Sequence, residues 1–104
     1  MTVMGYVKIP FPRLEWASAA PGERKKTAAV RHVAMLEFAP GFADPCWCPD
    51  GHIALVLSGV LEIEFECTIE SFMEDDSVVI DPGTRHRARN PGKSPVQLFI
   101  MTKS

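Results

Sequence analysis

The stretch GHIALVLSGVLEIEFE, residues 51–66, carries the most legible structural signal in the chain. The run His52–Leu57 is mostly apolar and closes on Ser58-Gly59. Beyond that turn, Leu61, Ile63 and Phe65 alternate with Glu62, Glu64 and Glu66. A period of two puts the apolar three on one side of an extended backbone and the carboxylates on the other. That is the pattern of a half-buried antiparallel strand with its charged side in water.

The same rhythm continues on either side. Downstream, Ile69–Phe72 and Ser77–Ile80 flank the turn Glu74-Asp75-Asp76; Asp81-Pro82-Gly83 leads into Arg85–Arg89, and Asn90-Pro91-Gly92 into a last run, Val96–Met101. Upstream, Arg31–Ala39 ends at Pro40-Gly41, and Cys46-Trp47-Cys48 ends at Pro49-Asp50-Gly51. Nine prolines and seven glycines cut the chain into pieces too short for helices but long enough for strands. About seven or eight short antiparallel strands are expected, which can close as a sandwich, a jelly roll or a small barrel. The one stretch compatible with a helix is Ala19 to Val30, where Pro21-Gly22 makes a poor start. Residues 1–30, with Pro10, Pro12, Pro21 and the basic cluster Arg24-Lys25-Lys26, read as an N-terminal arm packing on a β domain of residues 31–104.

Bulk properties narrow the function classes. The chain has 104 residues, 46% hydrophobic and 23% charged, which is the size and make-up of one globular domain. A formal net charge of -2 offers no whole-molecule attraction to nucleic acid or to an anionic membrane. No run approaches the ~20 apolar residues that span a bilayer. The first twenty residues lack an unbroken apolar core of the secretory kind, and the three cysteines are an odd number, so a reducing, cytoplasmic setting is expected.

Alternation also groups the reactive side chains. On an extended chain Cys46 and Cys48 share a side with Trp47 opposite; His52, Ala54 and Val56 share a face; so do His86, Ala88 and Asn90, with Arg85, Arg87 and Arg89 on the solvent side. With His86 inward, two thiols and two imidazoles meet at the interior.

Two stretches resemble the paired motifs of the cupin superfamily. The first is Pro40-Gly41, then Cys46-Trp47-Cys48, His52 and Val56-Leu57-Ser58-Gly59. It is similar to the motif Pro-Gly, His-x-His, a Glu four residues on, and a Val-Leu-x-Gly ending. The cysteines stand at the two His positions and His52 at the Glu position. The second is Asp81-Pro82-Gly83-Thr84-Arg85-His86-Arg87-Ala88-Arg89-Asn90, with Gly83, His86 and Asn90 in register and Asp81 where a proline is usual. The resemblance covers roughly Arg31 to Met101. It implies an all-β fold, a small antiparallel β-barrel or jelly roll. It also implies a metal site at the four equivalent positions, Cys46, Cys48, His52 and His86.

Two thiolates and two imidazoles favour Zn²⁺, with Fe²⁺, Cu and Ni²⁺ as alternatives, and four protein donors would close a tetrahedron. No organic cofactor is implied. Cysteine also serves as plain core filling, so a metal-free barrel holding a small ligand stands beside the metal reading. A Cys46–Cys48 disulfide is disfavoured, because alternate residues of a strand sit ~6.6 Å apart. Cys67 reads as a structural or surface thiol, Asn90 as a turn tie, and Phe38, Phe65, Phe72 and Phe99 as core. No general acid is visible near the motifs. Three functions remain open: a metal-binding cupin with a small-molecule role, a metal-dependent enzyme, and a metal-free binding module. A homodimer is expected, with Trp47 and the N-terminal arm near its interface.

Overall fold

The computed structural model describes residues 5–28 and 32–103. Among them a single 3₁₀ turn, Phe11–Arg13, precedes nine strands: β1 (Ala17–Ala20), β2 (Glu23–Thr27), β3 (Val33–Phe38), β4 (Gly51–Ser58), β5 (Leu61–Phe65), β6 (Ile69–Phe72), β7 (Ser77–Ile80), β8 (His86–Arg89) and β9 (Val96–Lys103). Every pairing is antiparallel. One sheet runs β1-β2-β3-β9-β4-β7 and the other β6-β5-β8. The all-β expectation holds, and no helix among the described residues is long and apolar enough to cross a membrane.

The alternation over residues 51–66 does what its period requires. Leu61 and Val56 are 1% exposed, and Val96 is fully buried. These three, with Phe38, Ile63 and Leu98, bring the inner faces of both sheets into one apolar core. Register stacks this core in levels: His52 faces Thr102, Ala54 faces Ile100, and Val56 faces Leu98. On the outer side of the small sheet Glu62 pairs with Arg89 and Glu64 with Arg87 across β5 and β8. Arg87 and Arg89 thus form a solvated face neutralised strand to strand, worth little stability because both partners meet water.

The N-terminal segment departs from the helical reading. Residues 17–27 form a hairpin, and β2 pairs with β3 along its length, Lys25 opposite Leu36. Gly22 turns the hairpin at φ +80°, a conformation that side-chain-bearing residues avoid. The segment alternates Glu23, Lys25, Thr27 against Arg24 and Lys26, a period-two pattern masked by its uniform polarity. Ala29 and Val30, also read as helical, lie outside the described residues. Arg24 and Lys26 stand over the Trp16 ring, at 4.5 and 4.9 Å from its centroid. Arg24 also donates to Glu37, which accepts a second bond from Gln97. The Arg24 bond, ahead of the Gln97 one, holds the Glu37 carboxyl below its ordinary value. This tie therefore stabilises the sheet at neutral pH and is lost as acid takes the pH down through the lowered value.

Two further expectations are corrected. Phe99 is not core: β9 turns Val96, Leu98 and Ile100 inward, which sends Phe99 to the outer face, edge-on to Phe11 at 6.0 Å. Residues 46–48 form no strand, and only Cys48 pairs, with His86.

The segment 41–48 instead runs antiparallel along β8 and joins the sheets. Asn90 N donates to Phe42 O at 2.9 Å, Asp44 N to Ala88 O at 2.8 Å, Cys48 N to His86 O at 2.7 Å, and His86 N back to Cys48 O at 3.0 Å. Asn90 is a turn tie, as its motif position suggested. Its buried amide donates to Phe38 O and Ser94 O and accepts from Gly92 N.

Gly59 closes the β4–β5 turn at φ +82°, and a Cβ there would lie 2.6 Å from the Pro95 carbonyl oxygen. Gly59→Ala is expected to lower unfolding free energy by about 2 kcal/mol or more in urea denaturation. A wild-type midpoint would show that the turn tolerates a side chain.

Candidate metal centre

Cys48, His52 and His86 reach one point from three different segments: the bridging loop, the start of β4 and the start of β8. One donor atom from each lies within 4.8 Å of the other two. The Cys48 Sγ to His52 Nε2 distance is 3.7 Å. Zn–S and Zn–N bonds meeting at the tetrahedral angle span ~3.6 Å between donors. The donor types and the Cys48–His52 spacing therefore fit a tetrahedral cation, with His86 close by and a position left open beyond the three.

The ring orientations follow from the second nitrogens. His86 Nδ1 lies 2.8 Å from Thr84 O, a carbonyl that only accepts, so Nδ1 carries the proton and Nε2 is left as a free lone pair. His52 Nδ1 is engaged by Thr102 Oγ1 at 3.2 Å, which turns Nε2 toward Cys48. The two rings meet edge to face, 5.1 Å between centroids. Outer hydrogen bonds of this kind fix tautomer and aim in histidine metal sites.

Burial keeps Cys48 and His52 neutral. Desolvation, with His86 as a second cause, lowers the His52 pKa, so the imidazole stays unprotonated at neutral pH. Desolvation raises the Cys48 pKa, against the opposing pull of the Asp50 backbone N–H. The thiol would give up its proton on binding a cation.

Cys46, the fourth candidate, lies outside this trio. It is exposed and lines the rim of the same cavity. With no regular strand over 46–48, alternation does not carry it to the side of Cys48. Trp47 is covered by Arg87 and Arg85, at 4.4 and 5.3 Å from the ring centroid.

The trio stands in a cavity of about 470 Å³ between the sheets. Two carboxylates that sequence reasoning missed face the same space. Asp44 Oδ2 accepts from Ala88 N at 2.8 Å, and desolvation raises its pKa despite that bond. Glu23, on the inner face of β2, is also raised, first by desolvation and then by Asp44. Asp44 falls inside the first motif, two residues before Cys46, but in a loop where alternation does not say which way its side chain points. Glu23 was hidden too, because only the hairpin brings it there.

A family model described as "Cupin domain" matches residues 34–102. No curated protein matches the chain. Among solved structures, the chain is similar to the Schizosaccharomyces pombe Cnp3 cupin domain, with TM-score 0.77, 16% identity, and 94% and 74% of the two chains covered. A sugar phosphate isomerase of the cupin superfamily from Silicibacter pomeroyi gives 0.74, 12%, 94% and 76%. KdgF from Halomonas sp. gives 0.66, 22%, 86% and 89%. At these identities the likeness is one of fold.

The raised thiol pKa predicts slow alkylation. At about pH 7.5, iodoacetamide should label Cys48 well after the exposed Cys67, with the gap narrowing as pH rises. Peptide mass mapping over time reads both sites. Cys48 labelled first would contradict the burial argument.

Proposed function

The chain belongs to the cupin family, and from there we propose that it is a small metal-binding cupin that takes a small molecule into its barrel. The proposed ligands are Cys48, His52 and His86, with Cys46 at the rim as the fourth candidate. The observation that carries this reading is the convergence of three donors within 4.8 Å, both imidazoles having their Nδ1 already engaged. One thiol and two imidazoles favour Zn²⁺ over the harder cations, with Fe²⁺ and Ni²⁺ next. A bound cation would supply Lewis acidity in the cavity. The protein's share is to aim the rings through Thr84 and Thr102 and to keep His52 unprotonated. Three free thiols fit a reducing, cytoplasmic setting.

A metal-dependent enzyme is the second reading, and Asp44 favours it. A half-buried carboxyl whose pKa is raised by desolvation, in the same cavity as the trio, is suited to hold or pass a proton.

The outer face of the large sheet supports a homodimer. Ile53, Leu55, Val79 and Met101 are exposed there side by side, Val79 at 63%. Strands of one protomer would cover those of its partner, with the N-terminal turn at Phe11 bordering the contact.

Metal analysis by mass spectrometry, on protein purified without chelator or nickel, should find about one zinc per chain. The Cys48→Ala/His52→Ala double variant should hold none. Native protein that stays empty after incubation with Zn²⁺ and Fe²⁺ would end the metal reading. Affinity should fall as pH drops from about 8 to about 6, because protons compete for the thiolate and imidazoles. Light scattering at micromolar concentration should give a dimer mass, and Leu55→Glu a monomer. A monomeric native protein removes the dimer.

A further inference from the structure

We infer that the cavity is built for a ligand with an apolar body and a single polar head, not for a sugar or a sugar phosphate. This deepens the small-molecule reading above and rests on the cavity being a binding site.

The cavity exists because small residues occupy one level of the core. Ala34 and Ala54 flank Ile100 on β9, and Ala88 lies opposite Ile63 in the small sheet. Ala54 is two residues inward of His52, and Ala88 two residues inward of His86. Three missing branched side chains thus open a space directly beneath the two imidazoles. At about 470 Å³ it falls within the usual range for small-molecule sites.

The walls of that space offer almost nothing to a hydroxyl. Below the imidazoles they are Leu36, Phe38, Leu61, Ile63 and Leu98, with Ile80 beside His52, and the strand backbones are engaged in the sheets. Burying an unpaired hydroxyl costs ~1–3 kcal/mol, and a sugar carries several. Apolar surface placed there gains free energy in proportion to its area.

The polar groups gather on one side of the cavity. Cys48, His52, His86 and Thr102 form one side, and Glu23, Lys25 and Asp44 line it from β2 and the bridging loop. Lys25 is the one Lys or Arg lining the cavity among the described residues, and Glu23 and Asp44 offset it. A phosphate dianion finds no cationic cradle. One hydroxyl or carbonyl turned to that side, on an aliphatic or aromatic body, matches both regions.

The test titrates zinc-loaded and zinc-free protein with a naphthol, an apolar bicycle bearing one hydroxyl, and with glucose phosphate. Amide NMR shifts report the location, and calorimetry the affinity. The expected result is that the naphthol shifts Ala54, Ala88 and Ile100 and saturates, while glucose phosphate leaves them unmoved. Ala54→Leu and Ala88→Leu, which fill the space, should each weaken naphthol binding at least about tenfold with zinc content unchanged. Should either variant fail to fold, the wild-type shifts decide alone. Naphthol shifts confined to Ile53, Leu55 and Val79 on the outer face would overturn the inference. So would tighter binding of glucose phosphate at Ala54 and Ala88. A protein that takes no zinc but takes naphthol in the cavity would sink the metal reading and leave this one standing. A protein that holds zinc and excludes naphthol would do the reverse.

Discussion

Two backbone hydrogen bonds exchanged between Cys48 and His86 hold the arrangement together. They join a loop leading into the large sheet to the first residue of β8 in the small one. A bridge of this kind sets position along the strand as well as distance, so a slip of one residue would turn a donor side chain away from the cavity. Gly51 and Gly83 support the same junction. Gly83 N donates to Pro49 O, and a Cβ on Gly51 would come within 2.8 Å of Pro82. Thiol and imidazole meet as a consequence of how the sheets are joined.

The parts of the structure that burial dictates were legible in the sequence. The alternation at 61–66 gave its own face assignment, and the turns around Gly59, Pro82-Gly83 and Asn90 stand where glycine, proline and asparagine marked them. His52 and His86 face the interior because strand period alone decides it. Cys48 comes along for a different reason, its bridge to His86, so the alternation argument that paired it with Cys46 does not extend to the structure.

The rest was hidden by the same physics. Strand β2 carries charges on both faces, so hydropathy cannot separate inside from outside, and its Glu23 becomes a cavity residue only through pairing with β3. Phe99 reads as core by composition, and only the register of β9 sends it outward. Asp44 sits in a loop, where no period applies, and its place depends on a hydrogen bond to Ala88 N from a residue far along the chain.

The hairpin of β1 and β2 has a consequence for how such a protein diversifies. The family match begins at residue 34, past the hairpin, yet Glu23 and Lys25 on β2 line the cavity. The proposed metal donors all lie within the matched segment. Part of the cavity's charged lining is therefore carried by a stretch of chain separate from the donors. The edge hairpin can drift in sequence, or be exchanged, and retune what the cavity admits while the donor cluster keeps its geometry. A fold arranged this way evolves new preferences at its margin without dismantling its centre.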